Sequence, residues 1–562
     1  MRKSELGMFL TGFVLIFSAM FLVTTYCFAE EDLQLRVNGE TVEADMYIEN
    51  GRTQIEASVV ENLLEQTFEK EFIALRQVFE DANANVTWVP ASRTIEIELD
   101  PVQVGEAYLL TRIDVDHAMD NVQTLSKEIG PRPAGSDSEH QAAEFLADYY
   151  QGLGYTVAVQ EYPVDTFGPE NMGLASVELV DGEDWFGEIE FEHETAFGPY
   201  DWGVYDEWHG TEWQMGASPH GTMTDVTLCG KLVNAGDGRE ADFTEEVEGN
   251  IALVRRGEVE EYKIAQNADA AGAEAVIIYS LVGGRGNLGQ AFQPRLEKVI
   301  DEEEEEEETE IVEVDIPVLG AAKIHGAWLT EMLEKDTVEL CIDAYYNEDL
   351  ISYNVEPTKP AEKEDAPIIA ITGHFDSVIG APGANDNASG TAATMEMARA
   401  FKGFDLDVEL RFINFGAEEV GLVGSRYYVE QLSEEEKERF MGVYNPDMVG
   451  TSDPYVEQLF AQTVDGEPNV VTDSMLAADE RLGHNKVKQS QFPASDHVPF
   501  HYAGIDAALF IHMAGEGTPQ DYYIEPIYHT PQDTIEDNIC PERYEQSLEI
   551  LGAAVLDTAI SQ

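Results

Sequence analysis

Eighteen residues, "GHFDSVIGAPGANDNASG" at 373–390, bring His374, Asp376 and Asp386 together around a glycine-rich turn. The preceding "APIIAITG" reads as an apolar strand, so His374 and Asp376 stand two residues apart on extended chain and their side chains share a face. Asp376 can then accept the ring N–H that a metal-bound imidazole leaves free. Asp386 stands at the mouth of a helix expected from Asn387, where a carboxylate serves equally well as a helix cap. The next apolar run, "LRFINFGAEEVGLVGS", ends in Glu418-Glu419. Neighbouring side chains diverge, so one acid can bind a metal while the other reaches a bound water as general base. "YNPDMVG" places Asp447 after a further strand, and "IYHTPQDT" places Tyr528 and His529 in a loop. Two histidines with carboxylates and no cysteine suit an open catalytic Zn²⁺ site. Two such ions about 3.5–4 Å apart, sharing one carboxylate, generate hydroxide and polarise a carbonyl.

These residues must all be delivered to one place. From Ala366 onward strands and helices alternate: "APIIAITG", the helix from Asn387, "DVELRFINFG", a helix near Ser425, "FMGVYNPDMVG" and "AALFIHMA". The alternation predicts an α/β fold with a mostly parallel sheet flanked by helices and ligands outside the carboxyl ends of the strands. Upstream, residues 110–165 carry two helical patterns separated by a Pro/Gly turn, then the strand "YTVAVQEYPV".

Between these segments, 166–345 reads as an insertion. "NIALVRRGEVEEYKIAQNADAAGAEAVIIYS" runs strand, turn, helix, glycine, strand, and "IPVLGAAKIHGAWLTEML" closes the unit. It resembles the protease-associated (PA) domain. Four of the six tryptophans, 185, 202, 208 and 213, fall in its first part, where packing of an irregular insertion is favoured over a binding surface. "DEEEEEEETE" at 301–310 is expected to be a self-repelling solvated loop. The segment 31–100 is strand-rich with Asn-Gly turns at 38–39 and 50–51. It resembles the stalk-like N-terminal domain of copper amine oxidases, without the His, Cys or Met cluster that copper needs.

"GHFDS", "GANDNASG", "FGAEEVGLVGS", "NPDMVG" and "YHTPQDT" together resemble the M28 family of zinc aminopeptidases, a zinc-exopeptidase fold, over 110–165 and 346–562. The resemblance implies that His374 and Asp447 hold one Zn²⁺, Glu419 and His529 the other, and that Asp386 bridges them. It casts Glu418 as the general base that takes a proton from zinc-bound water, Asp376 as the orienter of His374, and Tyr528 as a donor to the tetrahedral intermediate. The implied substrate is the N-terminus of a peptide or protein. Carboxypeptidases and dipeptidases share this metal shell. Glutaminyl cyclases and non-catalytic homologues of the fold lose ligands that are retained here. "SDHVPF" at 495–500 invites a Ser-His-Asp reading, but triad members are not usually adjacent and no G-x-S-x-G elbow exists. His497, His501 and His512 are read as structural or pocket-lining.

Arg2 and Lys3 precede an uncharged run ending in Cys27-Phe28-Ala29, which reads as a signal peptide over 1–29, with a retained anchor as the competitor. Either places the body outside the cytoplasm, secreted or at the cell surface, with membrane contact only through an uncleaved segment. Cleavage removes Arg2, Lys3 and Glu5 and leaves 109 acidic against 30 basic residues. Such charge excludes a nucleic-acid partner. Cys229, Cys341 and Cys540 are too few for a disulfide scaffold, and a Cys229–Cys341 pair is left open. Like charge at this density repels itself in the compact state. Screening shortens from about 10 Å at 0.1 M to about 3 Å at 1 M salt, so the melting temperature is expected to rise as sodium chloride goes from about 0.05 to 3 M. A flat or falling curve at fixed pH removes salt adaptation as the reason for the acidity.

Overall fold

The computed structural model describes residues 101–560 except 165–170, 181–188, 196–197, 206–211, 219, 222–225, 281–288, 302–307, 349, 362, 364 and 516–523, together with seven strands before residue 101. The expected export segment 1–29 lies outside the described residues. Among those described, no helix is long and apolar enough to cross a membrane.

In the N-terminal segment, strands 34–37 and 40–42 pair with Val37 opposite Glu40, and strands 46–49 and 52–56 with Glu49 opposite Arg52. The Asn-Gly pairs expected to turn the chain, 38–39 and 50–51, lie outside the described residues. The strands form one four-stranded and one three-stranded sheet.

The inserted segment closes into a seven-stranded barrel, in the order 212–217, 318–321, 275–279, 251–255, 226–234, 339–348 and 171–179. Cys229 and Cys341 face each other on adjacent antiparallel strands and form a disulfide, while Cys540 is free. Trp213 is buried in the barrel core with its ring edge-on to Trp328 at 5.4 Å, a packing role. The side chains of Trp185, Trp202 and Trp208 lie outside the described residues. The acidic run is not wholly loop: strand Glu297–Asp301 pairs with Glu308–Ile311, so both its ends are held in a hairpin. Val299 lies opposite Thr309 and Glu297 opposite Ile311 across that hairpin.

The remaining chain builds one eight-stranded sheet from β1 (Thr156–Pro163), β2 (Ile351–Lys359), β3 (Ile368–His374), β4 (Glu409–Phe415), β5 (Phe440–Pro446), β6 (Gln458–Thr463), β7 (Val487–Gln491) and β8 (Ala507–Met513). Their order is β7-β6-β8-β5-β3-β4-β2-β1, with β8, β5, β3 and β4 parallel to one another at the centre. The central strands are buried along nearly their whole length, as their unbroken apolar runs require. Helices α1 (Pro101–Leu110), α2 (Asp137–Leu153), α3 (Gly390–Phe401), α4 (Val423–Gln431), α5 (Val470–Leu482) and α6 (Pro541–Ile560) belong to this unit. Helix α1 was not foreseen. It packs on α6, with Leu109 fully buried and Gly105 so near that a Cβ there would stand 3.0 Å from Leu556 Cδ2, so this core starts upstream of residue 110.

Helix α3 begins at Gly390, not at Asn387, because Asn387 has non-helical backbone and spends its side-chain oxygen on the Gly390 N–H, 2.7 Å away. Every residue of α3 except Arg399 is buried, and its small side chains let it lie close on β3. A Cβ on Gly390 would stand 2.0 Å from the Pro446 carbonyl oxygen at the end of β5. The obstacle is backbone, which cannot swing aside. Gly390→Ala is therefore expected to lower stability by about 1–3 kcal/mol or more, read as a shift in the urea unfolding midpoint at unchanged slope.

Candidate metal centre and active site

Parallel strands end together, and the order β5-β3-β4 places His374, the last residue of β3, between the residues that follow β4 and β5. Asp447 follows β5 directly, and Glu418-Glu419 lie three and four residues beyond β4. His374 Nε2 is 3.3 Å from Asp386 Oδ1 and 3.7 Å from Asp447 Oδ1. His529 Nε2 is 3.0 Å from both Asp386 Oδ2 and Glu419 Oε2. The distances thus trace two groups joined by Asp386. Ligand atoms of His374, Glu418 and Asp447 also lie within 4.8 Å of one another, as do those of His374, Asp386 and Glu419. All the acids and histidines singled out from sequence meet here. Tyr528 stacks on His529 with ring centroids 3.7 Å apart.

Asp376 does more than sequence suggested. Its Oδ1 is 3.4 Å from His374 Nδ1, and its two oxygens accept the backbone N–H groups of Glu418 (3.0 Å) and Glu419 (3.1 Å). One carboxylate therefore ties the end of β3 to the acidic pair after β4.

The electrostatics call for cations. Asp376, Asp386, Glu418, Glu419 and Asp447 crowd around two imidazoles, and their donor atoms include buried ones without hydrogen-bond partners: Asp386 Oδ2, Glu419 Oε1, Asp447 Oδ1 and His529 Nε2. Burial pushes the Glu418 carboxyl well above its usual range, against the pull of His374 and with the help of Asp496, Glu419 and Asp447. Burial likewise raises Glu419 to about 7. Burial disfavours charge on His529, yet Glu419 and Asp386 raise it to about 10. For Tyr528, burial and then the charges of Asp386, Glu419, Glu418 and Asp447 hold the hydroxyl protonated. Imidazole nitrogen and carboxylate oxygen without sulfur, arranged in two clusters around a shared acid, fit Zn²⁺ in open sites.

Much of what holds the site was missed in the sequence. Asp386 is not a helix cap; the flanking asparagines dock its turn instead. Asn385 Oδ1 accepts from Gly450 N at 2.9 Å, and Asn387 Nδ2 donates to Pro446 O at 3.1 Å. Asp533, four residues after His529, accepts the N–H groups of Asn385 (2.9 Å) and Asp386 (3.0 Å). Buried Glu525 accepts from Asn385 Nδ2 and Asn538 Nδ2. Arg132, fully buried, donates to the carbonyls of Leu125, Gly130, Phe375, Pro382 and Gly383, which pins the loop between Asp376 and Asp386. For Asn385, Asn387, Glu525 and Asp533 the only signal was proximity to the motifs, and for Arg132 there was none. Ser495 Oγ donates to Asp447 Oδ2 at 2.8 Å, while His497 Nε2 lies 3.0 Å from the Phe492 carbonyl, so Ser495, Asp496 and His497 do not form a triad.

Comparison with known proteins gives the family. A model described as peptidase family M28 matches 354–555, and a PA domain model matches 225–329. The chain is 35% identical to aminopeptidase YwaD of Bacillus subtilis over 457 residues, which is 81% of this chain and 87% of that one. The chain belongs to peptidase family M28. An aminopeptidase of Pseudomonas aeruginosa is 28% identical over 65% of this M28 peptidase and 63% of its own length. Among solved structures, BSAP, a zinc aminopeptidase from Bacillus subtilis, is 34% identical with a TM-score of 0.50, covering 79% of this chain and 94% of that one.

Removing Asp533 orphans two N–H groups that aim Asp386. Asp533→Ala is expected to weaken zinc binding about 10–100-fold, as loss of an outer partner does, measured by competition with a chromogenic chelator. Unchanged affinity would mean that the turn is held without it.

Proposed function

We propose that this M28 peptidase is an exported aminopeptidase working with two Zn²⁺ ions per chain. Its metal residues are His374 and Asp447 for one ion, Glu419 and His529 for the other, and Asp386 between them. The reading rests on one observation: five residues of ligand chemistry converge at one buried centre in a chain 35% identical to an aminopeptidase. When bound, zinc supplies the Lewis acidity that polarises the scissile carbonyl and makes water acidic enough to attack near neutral pH.

The chain's own groups perform the rest. Glu418 takes the proton from the attacking water and returns it to the leaving amine. Asp376 holds the Glu418 N–H and stands beside His374 Nδ1, so base and ligand keep one mutual geometry. Tyr528 stays protonated, and its O–H donates to the oxyanion of the tetrahedral intermediate. The excess carboxylates attract the free ammonium of a peptide N-terminus. A disulfide between Cys229 and Cys341 supports an oxidising, extracytoplasmic destination.

Metal analysis is expected to find two zinc ions per chain. Glu418→Gln should keep both and lose about 10²–10⁴-fold in kcat, whereas Glu419→Ala should lose metal. A Glu418→Gln enzyme near the wild-type rate refutes the assigned base.

Peptides with a free N-terminus are expected to be cleaved and their N-acetylated forms left intact. Trimming from the C-terminus alone would make the enzyme a carboxypeptidase.

A further inference from the structure

Glu139, in the first turn of α2, is fully buried, and no cation pairs with it among the described residues. It is separated from the Glu418-Glu419 pair by the whole PA insertion. Helix capping alone does not account for its placement. Ser136 already caps α2 by accepting the Glu139 N–H at 3.2 Å. The Glu139 carboxylate spans two elements instead. Oε2 accepts from Gly135 N at 2.6 Å, while Oε1 accepts from Ser352 Oγ on β2 at 2.6 Å and from Ala417 N at 3.0 Å.

Ala417 has φ +53°, in the left-handed region that an alanine enters only at a cost. That single residue turns the chain from the end of β4 into the acidic pair. The four N–H groups around the turn each have a fixed acceptor: Gly416 has Tyr353 O at 3.1 Å, Ala417 has Glu139, and Glu418 and Glu419 have the two oxygens of Asp376. Gly416 leaves room for this arrangement, since a Cβ there would lie 2.6 Å from Glu139 Oε1 and 2.3 Å from Ser352 Oγ. Asp376 therefore sets the pair from the metal side and Glu139 from behind.

We propose that Glu139 is a positioning residue for the reaction: by holding the Ala417 N–H it locks the left-handed turn and so aims Glu418 at the attacking water. Glu139 touches no substrate. Its effect passes through backbone, so an oxygen acceptor at this position matters more than its charge. The inference rests on Glu418 being the base, and the two fail differently: a fast Glu418→Gln enzyme removes the base, whereas the tests below concern only how that residue is held.

The experiment compares Glu139→Ala, Glu139→Gln and Ser352→Ala in the full zinc-loaded chain, with an aminoacyl 4-nitroanilide as substrate. Zinc content, melting temperature, kcat and KM are read for each. Glu139→Ala at saturating zinc is expected to lose about 10–100-fold in kcat, the scale of a misplaced reacting group. Its KM should stay within about threefold, since binding before the transition state is untouched. Glu139→Gln keeps an oxygen for Ala417 while presenting an NH₂ to Gly135, so it should melt lower yet restore most of kcat. Ser352→Ala removes a donor to the same carboxylate without freeing Ala417, and should lower the melting temperature with kcat nearly unchanged. Should Glu139→Ala fail to fold, Glu139→Asp, one methylene too short to reach Ala417, carries the same expectation. Wild-type kcat in Glu139→Ala or Glu139→Asp overturns the proposal, as does a Glu139→Gln enzyme as slow as Glu139→Ala.

Discussion

Crowding of like charge in a buried place is the constraint on which the rest of this molecule depends. Five carboxylates converge on two imidazoles at the ends of β3, β4 and β5. Left alone they repel one another and lose water, and each would move or take up a proton. Bound cations remove the repulsion only if the acids are already aimed, so the surrounding chain must hold them in an unfavourable arrangement. It does so without a lysine or arginine on these carboxylates among the described residues. Backbone N–H groups hold Asp376, a serine hydroxyl holds Asp447, and Glu419 faces His529. A lysine or arginine at these places would compete with the metals for the same oxygens. The buried Arg132 illustrates the point, since its N–H groups go to carbonyl oxygens and leave the carboxylates unclaimed.

The holding groups come from distant parts of the chain. The turn at 130–139 supplies Arg132 and Glu139, and the segment 525–538 supplies Glu525, Asp533 and Asn538. Between them they fasten the loops after β3 and β4. The inserted barrel takes part as well: Ile527, beside Tyr528, is buried in the barrel's own apolar cluster, and Gln214 of the barrel accepts the Gly380 N–H at 3.1 Å. The loop that carries Tyr528 and His529 is thus packed against the insertion. Dividing the peptidase unit in sequence leaves its centre dependent on all of the pieces.

The chemistry was legible from residue type and spacing because metal ligands have few substitutes. His374, Glu419 and Asp447 stand beside apolar runs whose ends must lie at one edge of a parallel sheet, and the family resemblance added Asp386 and His529 to them as candidate ligands. The alternation of strands and helices and the mostly parallel sheet followed from periodicity for the same reason: each is a short-range consequence of which residues must be buried, whereas the strand order came only with the fold. The start of α3 was misplaced by three residues, because the asparagines around Asp386 look like helix openers and serve instead as struts to the loop after β5. Helix α1 was passed over, and the acidic run at 301–310 proved to be partly strand.

What sequence alone determined is the α/β frame, carried by local pattern, and the membership in a family of zinc aminopeptidases, carried by the resemblance of its short motifs. Tertiary structure alone decided that Asp376 serves two elements at once, that Cys229 and Cys341 meet across neighbouring strands, and that Arg132, Glu139 and Asp533 are the supports of the site. Those roles depend on hydrogen bonds between residues up to hundreds of positions apart. A glutamate in the first turn of a helix looks the same in sequence whether it caps that helix or holds a turn 278 residues away, and only folding reveals which.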